Sequence, residues 1–203
     1  MINTTRIKYL LKLFIPPVFF KLKNTIKSQY TFEGVYDHLN NVPEINNGYH
    51  NLDWVDTIFN SAQEDLLSIE GQDTLPQPIP GPQHEQFMPF LLSLLGKKTK
   101  PIILDIGGGM AVGYRNCVKY SNTKNFEYHV VETEELYEKS RKFFENFSDI
   151  FMHKVIPETL KNIDIVNIGS SLQYILGYKE LLKSLTKKAP KYILLTTSVS
   201  LIA

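Results

Sequence analysis

Three stretches of this sequence carry residues that could bind a ligand, and each follows an apolar run typical of a buried β-strand. The first is DIGGG, in which Asp105 precedes Gly107, Gly108 and Gly109. Glycine has no Cβ, so backbone N–H groups in such a turn can approach a ligand at the positive end of the following helix. The stretch predicts a nucleotide-like ligand, although a strand-to-helix turn that binds nothing has the same pattern.

The second stretch is FEYHVVE, a run of aromatic and β-branched residues that ends at Glu132. A carboxylate at the tip of the second strand of an α/β sheet is where such sites bind ribose hydroxyls. The alternative role for Glu132 is to begin the next helix, because acidic residues stabilise helix N-termini.

The third stretch is DIVNIGSSLQY, a buried strand followed by a polar loop that contains Ser170, Gln173 and Tyr174. If the loop lies at the same edge of the sheet as the glycine turn, these three side chains can contact a ligand. The alternative is that Ser170 or Ser171 caps the next helix.

The spacing of apolar residues predicts the elements that position these stretches. Strands alternate with helices, which indicates right-handed βαβ units and a mostly parallel sheet of order 3-2-1-4-5. The ligand crevice is then expected between strands 1 and 4, where the strand order reverses. Strands are predicted at 102–106, 126–132, 150–154, 163–168 and 192–197, and helices at 52–69, 84–95, 111–120, 134–144 and 175–187.

Length and composition limit the number of domains, the partners and the cellular location that the sequence can indicate. The chain has 203 residues, 43% hydrophobic content and a net charge of +1, which suits one globular core and gives no indication of a nucleic-acid partner. Cys117 is the single cysteine, so no internal disulfide can form. With no metal-ligand cluster in the sequence, a reducing, cytoplasmic location is predicted.

The N-terminus is basic and apolar. Six cations precede the first acidic residue, Glu33, and the apolar run at 9–20 is broken by Pro16 and Pro17. Its 12 residues are too few to span a bilayer. Two interpretations remain for residues 1–27: a pair of short helices packed on the domain, or a segment lying on the inner, anionic face of a membrane.

The glycine pattern distinguishes between classes of nucleotide-like ligand. A dinucleotide fingerprint requires a third glycine where Val112 stands. The pattern acidic-x-G-x-G-x-small, from Asp105 to Ala111, instead resembles motif I of the class I methyltransferases that use S-adenosylmethionine (SAM). An NAD-dependent oxidoreductase is thereby disfavoured.

The resemblance covers nearly the whole chain. The stretches that carry it are FIPPVFFKLK, NNGYHN, LDIGGGMAVGY, HVVE and DIVNIGSSLQYI. Together they resemble a family of SAM-dependent methyltransferases often encoded among bacterial surface-polysaccharide genes. This resemblance implies a Rossmann-like class I methyltransferase fold, SAM as cofactor and a small-molecule or glycan methyl acceptor. Residues 83–203 would form the SAM-binding domain, and residues 1–82 an N-terminal helical extension with a linker at 71–82.

The resemblance also implies roles for single residues. Asp105 would close motif I, Gly107 and Gly109 would offer backbone to the methionine and ribose end of SAM, and Glu132 would bind the ribose. Ser170, Gln173 and Tyr174 would border the methionine part or the acceptor, and Glu158 is the candidate for adenine. His153, His50 and Tyr49 are the candidates for proton transfer or a lid, and the catalytic residue is unknown.

A complete class I methyltransferase continues past strand 5 with a helix and a hairpin, whereas six residues follow Thr197 here. The sequence therefore predicts a C-terminally shortened member with strand 5 at the sheet edge. Such an edge favours pairing with a second copy. A non-catalytic binding protein is the alternative to an active transferase.

Overall fold

The computed structural model describes residue 41 and residues 52–70, 83–96 and 100–196. The chain divides into two compact units, Met1–Glu44 and Ile45–Ala203, and the described ranges from residue 52 onward belong to the second. The predictions for residues 1–27, Tyr49 and His50 lie outside the described residues. The domain boundary after residue 82 stays a prediction.

A five-stranded sheet forms the centre of the second unit, in the order β3-β2-β1-β4-β5. All four neighbouring pairs run parallel. This is the order predicted from the sequence, and the Rossmann-like fold is confirmed. The strands are β1 (Ile102–Ile106), β2 (Glu127–Val131), β3 (Ile150–His153), β4 (Ile165–Gly169) and β5 (Tyr192–Thr196).

Five α-helices surround the sheet in the described part of the chain, together with short 3-10 turns at Gln83–Gln86 and Leu172–Tyr174. The helices are α1 (Leu52–Glu70), α2 (Phe87–Leu94), α3 (Val112–Ser121), α4 (Glu134–Phe144) and α5 (Tyr178–Lys187). Each lies within a few residues of its predicted range.

Apolar cores lie on both sides of the sheet. On one side the alternate residues of the strands, such as Ile103 and Tyr128, pack with residues of α1 to α4, including Val55 and Leu66 of α1. On the other side Leu104 and Val166 pack with Leu185 of α5. Burial on both faces explains why β1 and β4 are almost uninterrupted apolar sequences.

The segment after β4 differs from the prediction. The sequence suggested a helix over 175–187, but α5 begins at Tyr178, after Gly177 with φ +73°. Neither serine caps it, because the residue at its N-cap is Gly177 and Ser171 instead precedes the 3-10 turn without a side-chain capping bond. The strand itself is β4 at Ile165–Gly169, two residues later than its predicted start.

Within the described ranges β5 lies at one edge of the sheet, next to β4 alone. Leu195 on this strand is exposed. Among the helices of those same ranges, none combines the length and the apolar character that a bilayer crossing needs.

Candidate functional site

The glycine turn connects β1 to α3 at the carboxyl end of the sheet. Gly107 and Gly109 both have positive φ, +72° and +58°, a conformation that glycine adopts without steric cost. The Gly107 N–H donates to Val131 O at 2.9 Å, which fixes the turn against the end of β2. A Cβ added at Gly109 would meet no atom within 4 Å, so this side of the turn is open to a ligand.

Glu132 lies directly against that turn. Its Oε1 accepts a hydrogen bond from the Gly109 N–H at 2.8 Å, and its Oε2 accepts one from the Thr133 N–H at 2.9 Å. A carboxylate has about four acceptor positions, so two remain for hydroxyl donors. The carboxylate also lies in the loop just before α4, so both functions expected of it from the sequence are compatible.

The loop after β4 reaches the turn through Ser171. Its hydroxyl donates to Ile106 O at 2.7 Å, and a Cβ at Gly107 would overlap the Ser171 side chain. Ser170 has φ +58° and its N–H donates to Thr196 O of β5 at 2.9 Å. The Gln173 amide donates to Ser170 O at 2.9 Å, so these loop residues are held at the carboxyl end of the sheet.

Asp105 lies beneath the turn and is 2% exposed. Its Oδ2 accepts a hydrogen bond from the Tyr128 hydroxyl at 2.5 Å, and its Oδ1 accepts one from the Asn167 amide at 2.6 Å. We call Tyr128, Asp105 and Asn167 the buried triad. Direct contact of Asp105 with a cofactor stays a prediction, while the hydrogen bonds show that its carboxylate joins β2, β1 and β4.

The surroundings of Asp105 change its acidity. Burial raises its pKa from 3.8 to about 6, against the opposing effect of hydrogen bonds from Tyr128 and Asn167, and the nearby charge of Glu132 raises it further. Burial and the Asp105 charge likewise raise the pKa of Tyr128. The Tyr128 hydroxyl therefore remains a proton donor to the Asp105 carboxylate at neutral pH.

Two further glycines are required by this packing. A Cβ at Gly108 would overlap the Asp105 carboxylate, and a Cβ at Gly113 in α3 would overlap the Tyr128 hydroxyl and crowd Met88. The close helix-to-strand contact that a dinucleotide site makes at the third glycine is made here at Gly113, one position after Val112. Gly113, Tyr128 and Asn167 were not among the site residues predicted from the sequence. The available signal was a glycine in the first turn of a predicted helix.

His153, the candidate base that the structure describes, lies at the carboxyl end of β3, where its carbonyl oxygen accepts a hydrogen bond from the Glu132 N–H at 3.0 Å. His153 Nε2 is 3.0 Å from His129 Nδ1, and the His129 ring stacks on Phe151. Burial lowers the pKa of His129, and burial and the neighbouring His129 lower the pKa of His153 to about 4. His153 is therefore neutral at pH 7 and contacts a second imidazole. Glu158 is exposed in the segment between β3 and β4.

Several buried polar atoms at this edge of the sheet have no hydrogen-bond partner among the described residues. They are Asn167 Oδ1, Gln173 Oε1 and Thr133 Oγ1. Leaving such atoms unsatisfied costs about 1–3 kcal/mol each, so we expect hydrogen-bond donors beside them, from a ligand or from ordered water.

The structure thus brings Asp105, the three glycines and Glu132 together with the loop of Ser170 and Gln173. All of them lie at the carboxyl ends of β1, β2 and β4, around the point where the strand order reverses. This position is where open α/β sheets bind nucleotide-like ligands. Fold and site together define a Rossmann-like protein with a candidate site for such a ligand at this position.

No family model matches the chain, and no curated protein matches it. Among solved structures it is similar to a SAM-dependent methyltransferase from Aquifex aeolicus, with 19% identity and a TM-score of 0.39 over 53% of this chain and 61% of that chain. It is also similar to the plantazolicin methyltransferase BpumL in complex with SAH, with 18% identity and a TM-score of 0.44 over 70% of this chain and 51% of that chain.

A third similar structure is the human methyltransferase 10 domain containing protein, with 17% identity and a TM-score of 0.43 over 70% of this chain and 75% of that chain. The chain spans about half to three fifths of the length of the first two. Because each TM-score is below 0.5, we assign no function from these likenesses.

Proposed function

We propose that the chain binds SAM and transfers its methyl group to a small-molecule or glycan acceptor. The observation that carries the proposal is the 2.8 Å hydrogen bond from Gly109 N–H to Glu132. It joins the glycine turn after β1 to the acid after β2, which is the combination that a ribose-bearing ligand at the switch point requires.

The chemistry of the available atoms favours SAM over NAD. Glu132, Asn167 Oδ1 and Gln173 Oε1 are all hydrogen-bond acceptors, and they suit a ligand that carries an ammonium group and a positively charged sulfonium. The pyrophosphate of NAD instead needs donors and the third glycine, which is replaced by Val112. The open space at Gly109 leaves room for the ligand beside the turn.

In this proposal the chain positions SAM and the methyl acceptor and does not react covalently with either. When bound, SAM supplies an electrophilic methyl group. Glu132 binds the ribose, the turn at Gly107 to Gly109 fixes the ligand against the sheet, and Ser170 and Gln173 border the acceptor. Alignment of the acceptor with the methyl group accounts for much of the acceleration in displacements of this kind. We assign no general base, because His153 contacts His129.

One finer part of the proposal, the methyl acceptor, rests on the family resemblance. We propose a surface-polysaccharide or glycan precursor as acceptor, and peripheral contact with the inner membrane face through residues 1–27, whose six cations favour anionic lipids. The edge position of β5 supports a dimer through that strand, which sedimentation equilibrium would test.

Thermal unfolding tests the cofactor assignment. A ligand that binds only the folded state stabilises it by about 2.7 kcal/mol at a hundred times its dissociation constant. We expect SAM and SAH to raise the melting temperature in a concentration-dependent way, and NAD to leave it unchanged. A shift with NAD and none with SAM would favour the oxidoreductase. SAM binding without methyl transfer to any glycan precursor tested would favour the non-catalytic alternative.

Replacement of Glu132 tests the site itself. Glu132→Ala removes a charged hydrogen-bond partner, so SAM affinity in titration calorimetry should fall by about 1–3 kcal/mol. Glu134→Ala is the matched control: it removes the same charge two residues away, where Glu134 pairs with Lys154 at the surface, and should leave SAM affinity unchanged. Equal affinities of Glu132→Ala and the parent would contradict the ribose role.

A further inference from the structure

A basic and apolar surface lies along α5 and the turn that precedes it. Its apolar part is Tyr174, Leu176 and Tyr178, all exposed, with Leu176 at 72%. Its basic part is Lys179, Lys183 and Lys187, which are exposed on α5. We call these six residues the α5 surface.

Helix geometry places the three lysines together. Lys179, Lys183 and Lys187 are spaced four residues apart, so they form one stripe along the helix. Leu185 of the same helix is buried against the sheet, and the stripe lies on the solvent side. The Lys179 ammonium is 5.9 Å from the ring of Tyr178, which joins the stripe to the apolar part of the surface.

These lysines also differ from four other cations in their electrostatic partners. Those four pair with carboxylates: Lys100 with Glu127 and Asp149, Lys139 with Asp56, Arg141 with Glu138, and Lys154 with Glu134 and Glu138. Lys179, Lys183 and Lys187 form no ion pair with any residue in the described ranges. The carboxylate on their own helix is Glu180.

We propose that the α5 surface binds an anionic lipid bilayer. Exposed leucine and tyrosine side chains can enter the headgroup region, where tyrosine keeps its hydroxyl in water. Lysines around them attract anionic headgroups, with about 1 kcal/mol for each one near the surface. An apolar tip next to cations that have no carboxylate partner in the described ranges therefore has the charge and polarity that match such a bilayer.

A bilayer explains these residues better than a nucleic acid does. The most exposed member is the aliphatic Leu176, which offers nothing to phosphates or base edges. Residues 154–196 contain no arginine, the side chain that most often makes bidentate contacts with phosphates and bases. The α5 surface comes directly after the loop of Ser170 and Gln173, so a bilayer-bound chain would hold its candidate site close to the lipid headgroups. This inference does not depend on SAM as the ligand.

Co-sedimentation of the full chain with vesicles tests the inference. We expect binding to vesicles of equal parts phosphatidylglycerol and phosphatidylcholine, weaker binding as salt rises, and little binding to phosphatidylcholine alone. Lys183→Glu should lower the partition coefficient about tenfold or more, because it removes one attraction and adds one repulsion. Leu176→Asp should lower it similarly.

Lys142→Glu provides the matched control. It makes the same charge change at an exposed position of α4, and it should leave vesicle binding within about twofold of the parent if the α5 surface makes the contact. Circular dichroism of all variants checks that they remain folded.

Three outcomes would overturn the inference. One is absence of binding to anionic vesicles. Another is binding that survives Lys183→Glu and Leu176→Asp but is lost on Lys21→Glu with Lys23→Glu, which would assign it to residues 1–27. The third is a protein that does not sediment with vesicles but binds a single-stranded RNA, when Lys183→Glu abolishes that RNA binding.

Discussion

Replacing Gly113 with alanine is expected to lower the free energy of unfolding by at least about 3 kcal/mol, the upper part of the range for overpacked cores. The added Cβ would overlap the Tyr128 hydroxyl, which cannot retreat without losing its bond to Asp105. The Met88 methyl group, at the end of a flexible side chain, can move aside. Urea denaturation followed by circular dichroism measures the change.

Two further variants isolate the cause. Tyr128→Phe removes the overlapping hydroxyl, so adding it to Gly113→Ala should recover part of the lost stability, and the double-mutant cycle gives the coupling between the two sites. Gly96→Ala is the control for an alanine without a clash. Its Cβ would meet nothing within 4 Å, and only the strain of φ +65° remains, about 1–3 kcal/mol. Strictly additive effects of Gly113→Ala and Tyr128→Phe would contradict the packing argument.

The parts of the site that the sequence predicts are those formed by neighbouring residues. An apolar strand, three glycines and a helix lie within 101–121, and Glu132 comes directly after the next strand. Parallel pairing then brings these ends together without any knowledge of side-chain packing. The topology and the proximity of Glu132 to the glycine turn could therefore be anticipated.

The buried triad could not be anticipated, because its hydrogen bonds join residues far apart in the chain. Tyr128 is 23 positions from Asp105, and Asn167 is 62 positions away. They meet only through the register that sets Asp105 opposite Val130 and Asn167, and a one-residue shift would turn these side chains to the other face. In the sequence, Tyr128 and Asn167 resemble ordinary residues of a strand.

The start of α5 shows how a local backbone requirement can outweigh an apolar pattern. Ile175 fits the helical spacing of Leu181 and Leu182, which is why the sequence suggested a helix from 175. Gly177 adopts φ +73°, outside the helical region, and the chain turns there before Tyr178. The turn leaves Leu176 exposed, as the proposed bilayer contact requires.

Replacing Asp105 with asparagine is expected to remove most of the pH dependence of stability between about pH 4 and pH 6. The folded chain has an Asp105 pKa of about 6 against 3.8 for an unperturbed aspartate, so it binds this proton more tightly than the unfolded chain does. The resulting stabilisation is fully present below about pH 4 and is lost as the pH rises through about 6. The difference corresponds to about 3 kcal/mol.

At about pH 8 the variant should therefore be as stable as the parent or more stable, although it changes a buried residue. The new amide can keep both hydrogen bonds of the triad. Its oxygen accepts from the Tyr128 hydroxyl, and its N–H donates to Asn167 Oδ1 once the Asn167 amide rotates. In the parent, Asn167 Oδ1 has no partner among the described residues. Denaturation of both proteins from about pH 4 to pH 8 measures the difference. Other carboxylates titrate alike in the parent and the variant, so their contributions cancel in the difference between the two pH profiles. Glu138, whose pKa is lowered chiefly by its hydrogen bond with Lys154, is one of them. A variant that is less stable at about pH 8 by several kcal/mol, with an unchanged pH profile, would show that the ionised carboxylate stabilises the glycine turn.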